Sequence, residues 1–175
     1  MATSSLPSRP LRAFAVRTLH LPIDILAPAV HNPATNEKGS PTMHEPILKT
    51  ATAGAGRWRV SATAIATGDG VTIHLGGGER PHVGAVAIAI PRPSRRDPAR
   101  TSATSSVITV TGHKDDELAR PLAELAAARL RQVAVVVVGV HVEGATDEDI
   151  ERLAAHAREA VEALLEQLEQ PRGAA

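Results

Sequence analysis

The sequence predicts an α+β domain in which a mixed five-stranded sheet carries two packed helices. Three observations indicate this fold class. Residues 57–67 and 71–75 alternate between apolar and polar side chains around a Gly-Asp-Gly turn, which is typical of a β-hairpin. Residues 134–138 form an unbroken run of Ala and Val, which is typical of a central strand. Residues 115–131 and 146–168 carry apolar side chains at helical spacing.

The N-terminal segment, residues 1–49, does not resemble part of a folded domain. It holds seven of the thirteen prolines, and proline removes a backbone donor and fixes φ. Because neither a long helix nor a central strand fits this pattern, we expect residues 1–49 to be disordered. Residues 50–170 are then expected to form a single α+β ligand-binding domain.

Met43 offers a second explanation of the N-terminal segment. It is the only methionine besides Met1 and stands just before the regular pattern begins, so translation starting there would remove most of the proline-rich stretch. The segment also has the Arg- and Ser-containing, acid-poor character of a transit peptide. The sequence has no apolar run of secretory or membrane-spanning length. We therefore expect a cytoplasmic protein that does not insert into a membrane.

The middle of the chain continues the sheet. Residues 76–82 begin with three glycines and predict a loop, and residues 83–90 predict a third strand. Residues 91–106 are rich in Pro, Arg, Ser and Thr, which predicts an exposed loop before a fourth strand at 107–111.

The C-terminal part predicts a βαβ crossover, since the helix at 115–131 is followed by a strand at 133–140. Both faces of this last strand are apolar, so we expect it to be central and covered on both sides, at least in part. Thr146 fits the N-cap position of the final helix, whose first turn is acidic.

The composition excludes several classes of function. Nineteen basic residues balance nineteen acidic ones, which argues against a general binder of nucleic acid or anionic membranes. The chain has no cysteine, so disulfides, thiolate metal sites and thiol catalysis are excluded. Phe14 and Trp58 are the only Phe, Trp or Tyr residues, too few for a base-stacking platform.

Histidines mark one edge of the predicted sheet. His113 and His141 follow the carboxyl ends of two strands that are parallel in this arrangement, so they emerge at the edge where open α/β sheets bind ligands. His82 joins them if the third strand runs antiparallel to its neighbour. His74 lies inside a strand and fits a structural role better. Three convergent histidines suit a zinc, manganese or iron ion, although no pair has the i, i+4 spacing of a helical metal site.

Other residues near this edge suit a charged ligand. The amides of Gly76, Gly77 and Gly78 could approach a phosphate, or the glycines could serve only a turn. Lys114 could pair with a phosphate or be a solvated surface residue. Asp115 could contact a ligand or simply favour the helix dipole.

Three kinds of function stay open on these residues. One is a ligand-binding protein, and another is a structural subunit with packed histidines. The third is a histidine-based, metal-dependent hydrolase or isomerase with an acidic residue such as Asp115 or Glu143 as base. The alanine-rich helices offer flat faces, which favours a homodimer.

Three strings together resemble the LpdD-like prenylated-flavin chaperone family. They are Gly-Gly-Glu-Arg-Pro-His-Val-Gly-Ala-Val-Ala at 77–87, Gly-His-Lys-Asp-Asp at 112–116 and Gly-Val-His-Val-Glu at 139–143. The resemblance covers roughly residues 50–168. Members of this family are small partner proteins of UbiD-type decarboxylases, which act reversibly and without net oxidation.

The resemblance implies a cofactor chaperone that handles prenylated FMN non-enzymatically or semi-enzymatically. Such a protein would bind prenylated FMN, protect it or assist its oxidation, and deliver it to a UbiD-type hydroxyarylic acid decarboxylase; a flavin prenyltransferase would supply it. The flavin site would then be lined by His82, His113 and His141 and would include Asp115 and Glu143, with Lys114 and the amides of Gly76, Gly77 and Gly78 at the phosphate.

The sequence departs from the family pattern at two positions. Glu143 stands where aspartate is more usual, which keeps the charge but moves it by a methylene. Gly144 stands where asparagine is more usual and supplies no side-chain amide.

Overall fold

The computed structural model describes residues 45–112 and 114–170. The expected disorder of the first 44 residues and the alternative start at Met43 lie outside this range, as does His113. In chain order the elements are β1 (Ile47–Ala53), a 3-10 turn (Gly56–Trp58), β2 (Val60–Ala66), β3 (Gly70–Gly78), β4 (Ala85–Pro93), β5 (Thr101–Thr109), α1 (Asp116–Leu130), β6 (Val133–His141) and α2 (Asp147–Glu169).

The described chain forms one mixed sheet with the strand order β1-β2-β3-β6-β4-β5. Strands β3 and β6 are parallel, and the other neighbours are antiparallel. The predicted α+β class and its two helices are confirmed, whereas the sheet has six strands instead of five. The additional strand, β1, begins at Ile47, inside the segment that was expected to be disordered.

The predicted loop at 91–106 is mostly wrong. Strand β4 continues to Pro93, β5 begins at Thr101, and the two pair along their whole length. Pairing between β4 and β6 ends at Ala89. Because β4 has no partner on that side beyond Ala89, the missing N–H groups of Pro91 and Pro93 remove no hydrogen bond there.

The predicted βαβ crossover is present in a modified form. Strands β5 and β6 run parallel, since both are antiparallel to β4, and α1 connects them. However, β4 lies between them, so the crossover passes over one strand instead of joining neighbours.

Both helices cover the same face of the sheet: α1 packs on β4, β5 and β6, and α2 packs on β1 and β2. Small side chains line this covered face, which lets the helices approach the strands closely. Ala85, Ala87 and Ala89 of β4 are fully buried there, as are Ala123 and Ala126 of α1. The largest fully buried side chains are Ile73, Leu75, Leu164 and Leu165. Neither helix in the described ranges is long and apolar enough to cross a membrane.

The opposite face, called the open face below, carries no helix of the described chain. Side chains alternate along a strand, so Val135 and Val137 of β6 point to this face and are only half-buried. The expectation that β6 is central is confirmed, whereas the described helices cover only one of its two faces. Val135 and Val137 alternate with the buried residues of β6 and lie on the face that the described elements leave uncovered.

Candidate ligand-binding site

The candidate residues gather at one end of the sheet. Strands β3, β5 and β6 end there, and β4 begins there because it runs antiparallel to β6. His82 was expected to lie at this edge only if the strand that follows it runs antiparallel to its neighbour, and β4 does run antiparallel to β6. The connections at this end carry His82, Lys114, Asp115, His141 and Glu143.

Asp115 lies at the centre of the site. Its side chain is 6% exposed, and its Oδ1 accepts a hydrogen bond from the Val140 N–H at 3.0 Å. Its Oδ2 lies 3.3 Å from Nε2 of His82. Although Asp115 stands at the start of α1, its carboxylate makes no capping bond to the helix. It therefore joins the start of α1 to the end of β6 and to the β3–β4 connection.

The ring of His82 is held on both sides. Its Nδ1 lies 3.1 Å from the carbonyl oxygen of Arg80, and its Nε2 faces the carboxylate of Asp115. Both partners are hydrogen-bond acceptors, so a protonated ring can donate to both and a neutral ring to one. The position and orientation of His82 are thus fixed by its own loop and by Asp115.

Two glycines that sequence reasoning did not single out make this arrangement sterically feasible. A β-carbon at Gly84 would overlap the carboxylate of Asp115, and one at Gly139 would overlap the carbonyl of His82. A glycine inside an otherwise regular strand pattern is the signal that could have identified both, because it often marks a close approach.

The triple glycine lies in β3 and does not form the predicted loop. Gly77 and Gly78 pair with β2 or β6, and the Gly78 N–H donates to the carbonyl of Arg59 at 3.0 Å, so this amide is already engaged. A β-carbon at Gly78, whose φ is +76°, would overlap the backbone of His141. The glycines therefore let β3 approach its neighbours closely. Phosphate binding by the amides of Gly76 and Gly77 stays a prediction.

Two pockets meet at His141. The larger, of about 530 Å³, lies between the starts of α1 and α2, and its volume is in the range of small-molecule sites. The smaller, of about 320 Å³, lies beside the β3–β4 connection and includes His82. The two imidazole rings stand edge to face with centroids 6.3 Å apart. The larger pocket has aliphatic walls, formed by Leu118, Val140, Val142, Ile150, Leu153 and Ala154. Its polar lining residues are Lys114, Asp115, Glu117 and His141.

The segment after β6 is tied to the segment after β3. The Glu79 carboxylate accepts from the Glu143 N–H at 2.8 Å, and the Glu79 N–H donates to the His141 carbonyl at 2.7 Å. Arg57 pairs with Glu79 at 3.3 Å and donates to the carbonyl of Glu143 at 2.6 Å. Arg57 and Glu79 were not predicted as site residues. The carboxylate of Glu143 is exposed and lies 3.3 Å from Nε2 of His141.

A second polar cluster fixes the start of α2, whose residues Ile150 and Leu153 line the larger pocket. Thr146 and Asp149 form a capping box, and the Trp58 indole N–H donates to Asp149 Oδ1 at 2.6 Å. Hydrogen bonds from the Thr146 backbone and from Trp58 lower the pKa of Asp149 below its usual value of 3.8. The Arg152 guanidinium lies over the Trp58 ring, 4.6 Å from its centroid.

Among residues 45–112 and 114–170, no group of three or more His, Asp or Glu side chains has the arrangement of a metal site. The expectation of a histidine-bound metal gains no support from this part of the chain.

Comparison with known proteins gives one family match. The family model described as a prenylated flavin chaperone LpdD-like domain matches residues 54–169, which is more than half of the chain. No curated protein matches. A solved structure titled "Crystal Structure of a Novel Chaperone Complex for Yeast 20S Proteasome Assembly" is similar with a TM-score of 0.46 and 16% sequence identity, over 72% of this chain and 97% of that chain.

Proposed function

Because the chain belongs to the LpdD-like prenylated flavin chaperone family, we propose that it binds prenylated FMN where the two pockets meet and delivers it to a UbiD-type decarboxylase. The observation that carries this proposal is the larger pocket, which places aliphatic walls beside a fixed group of imidazole and carboxylate side chains. Ligand sites typically combine a mostly apolar lining with a few fixed polar groups.

The walls of the larger pocket suit a planar ring system in a chain almost without aromatic residues. Leu118, Val142 and Leu153 offer aliphatic surface of the kind on which such a ring can pack. Lys114, exposed at the margin, is the cation that we assign to the phosphate. When bound, the flavin brings redox-active ring chemistry, while the chain supplies binding and orientation.

His82 and His141 have the role of polar contacts to the flavin. His82 is oriented by Asp115 and by the Arg80 carbonyl, and its ring stands against that of His141. Because fixed donors lose little conformational freedom when a ligand binds, this pair favours one orientation of the cofactor. His113 belongs to the same proposal on the strength of the family resemblance.

Hand-over to another protein is compatible with the exposed margin of the site. Lys114 and Glu143 are exposed, so a receiving enzyme could contact them while the cofactor still lies in the pocket. The partners of this transfer would be a flavin prenyltransferase as donor and a UbiD-type decarboxylase as acceptor, in the cytoplasm.

Co-expression with a flavin prenyltransferase tests the proposal directly. We expect the purified chain to carry a flavin absorption spectrum and a ligand with the mass of prenylated FMN. His82→Ala and His141→Ala should each weaken binding about tenfold or more, because a hydrogen bond to a charged group contributes about 1.5–3 kcal/mol.

His74→Ala is the matched control, since it also removes one imidazole but lies on the open face of β3 and lines neither pocket. It should bind the flavin as the unchanged chain does. A folded protein that acquires no flavin, or equal losses for all three variants, would contradict the proposal.

A further inference from the structure

Strand β4 places its larger apolar side chains outward. Ala85, Ala87 and Ala89 face the helices and are fully buried, whereas Ile88 and Ile90 on the open face are 43% and 56% exposed. A half-covered antiparallel sheet normally directs apolar residues to the core and polar residues to solvent. In β4 the small side chains face the core and the larger apolar side chains face outward. This arrangement indicates that the open face of β4 is covered by something outside the described chain.

These isoleucines belong to a continuous apolar area, called the apolar half of the open face, which covers β4 and β6 and includes Ile108 of β5; the other residues of β5 on this face are Ser102, Thr104 and Ser106. In register, Val86 pairs with Ile108 on one side and with Val137 on the other, and Ile88 pairs with Val135. Ile108 is the most exposed of them, at 76%. Contiguous exposed apolar areas of this kind mark interaction surfaces.

The other half of the open face, on β1, β2 and β3, is mainly hydroxylic. It presents Thr50, Thr52, Ser61, Thr63 and Thr72, together with Leu48, Ile65 and His74. Among the described strand residues on the open face, only Arg92, at one end, carries a permanent charge. Its Nε donates a hydrogen bond to Thr104 at 2.7 Å. Almost the whole face is therefore uncharged.

We propose that the open face binds the open face of a second copy of this chain, which forms a two-layer sheet sandwich. An uncharged surface can meet its own copy without like-charge repulsion, which is the condition that a symmetric contact imposes. An acidic or basic partner would find no complementary charge across most of this face. The proposal is independent of flavin binding.

The direction of the two-fold axis follows from the unequal halves. An axis that lies between the two sheets and crosses the strands places each strand over its own copy in the opposite direction. The apolar half then meets the apolar half, and Arg92 lies over the far end of the partner sheet instead of over itself. With an axis along the strands through the middle of the sheet, apolar residues would face hydroxyl groups.

The area of the face is sufficient for a stable dimer. Six strands of seven or nine residues, about 4.8 Å apart with a rise of about 3.4 Å per residue, cover roughly 29 by 28 Å, or about 800 Å². Stable interfaces bury about 800 Å² on each partner. The larger pocket lies between the helix starts, on the covered side of the sheet, so the sandwich leaves it accessible.

Sedimentation of the full chain tests the proposal. We expect the mass of a dimer at micromolar concentration, and for Ile88→Glu a dissociation constant at least about a hundredfold higher, because the substitution brings two carboxylates together in an apolar contact. Ala155→Glu, on the exposed surface of α2, adds the same charge elsewhere and should leave the dimer unchanged. Ile108→Glu, at a more exposed position, repeats the test if Ile88→Glu does not fold, as judged by circular dichroism.

Chemical cross-linking tests the position of the axis. The chain has no cysteine, so Ile88→Cys and Ala155→Cys each introduce a single thiol. Packed sheets lie about 10 Å apart, and a short bismaleimide should therefore link two copies through residue 88 and not through residue 155. A monomeric wild-type chain, a dimer that Ile88→Glu and Ile108→Glu do not weaken, or linkage through residue 155 alone overturns the proposal. The first outcome would be expected if residues 1–44 or another protein cover the face.

Discussion

The two helices of this domain begin with similar polar residues that are used in different ways. At the start of α2, Thr146 and Asp149 bond to each other's backbone, and the helix N-terminus is capped by its own side chains. At the start of α1, the carboxylate of Asp115 leaves the helix and instead contacts the Val140 N–H and His82. The first-turn amides of Glu117 and Leu118 donate to backbone carbonyls.

This difference separates a helix start that is used for capping from one for which we propose a role in ligand binding. A capping box stabilises the helix that contains it. The buried carboxylate of Asp115 is not used for capping and instead holds His82 beside the two pockets. A polar residue at a helix start is therefore informative about function only once its partner is known.

The largest effect is expected from Asp115→Ala. It removes the acceptor of the part-buried Val140 N–H, and an unsatisfied buried group costs about 1–3 kcal/mol. Urea unfolding should show this loss of stability, and flavin binding should weaken as well because His82 loses its partner. Asp115→Asn keeps an oxygen for Val140 and should recover most of the stability but not the binding. If both variants bind flavin normally, Asp115 has only a structural role.

A smaller and purely structural effect is expected from Thr146→Ala. Loss of an N-cap hydroxyl costs about 1 kcal/mol, so the free energy of unfolding should fall by this amount. Thr146→Ser keeps the capping oxygen and serves as the control. Flavin affinity, measured per folded molecule, should stay unchanged in both variants. A weakened affinity for Thr146→Ala alone would remove the distinction between the two helix starts.

The smallest effect concerns acid stability at the start of α2. Because hydrogen bonds lower the pKa of Asp149 in the folded chain below 3.8, its contribution to stability is complete above that pH and is lost as the pH falls through the folded-state pKa. Asp149→Asn should remove the pH-dependent contribution of this carboxylate to stability, so the melting temperature should depend less steeply on pH below about 4. An unchanged acid profile would contradict the assignment.

The regular elements of the middle and C-terminal chain were predictable because their patterns are local. The β2–β3 hairpin, both helices and the apolar strand β6 follow from periodicity, and the placement of His82 beside His141 follows from strand direction. Strand β1 was missed because only Ala51 and Ala53 of it are buried, which leaves little alternation to detect.

The errors elsewhere depend on tertiary contacts. Pro91 and Pro93 favoured the prediction of a loop. A strand is possible at these positions because β4 no longer pairs with β6 beyond Ala89, so the prolines interrupt no hydrogen bond on that side. The apolar residues of β6 could not reveal that one face is uncovered. The partner of Asp115 lies 25 residues away along the chain, and no local pattern identifies such a contact.

The tryptophan of the 3-10 turn, which contacts the start of α2, provides a spectroscopic signal. Trp58 is the only tryptophan, and the chain has no tyrosine, so its ultraviolet fluorescence comes from a single position. The indole is bonded to Asp149 and lies against Arg152. Its emission therefore reports the docking of one helix onto the 3-10 turn, and time-resolved unfolding measured by this signal follows that event separately from the loss of secondary structure.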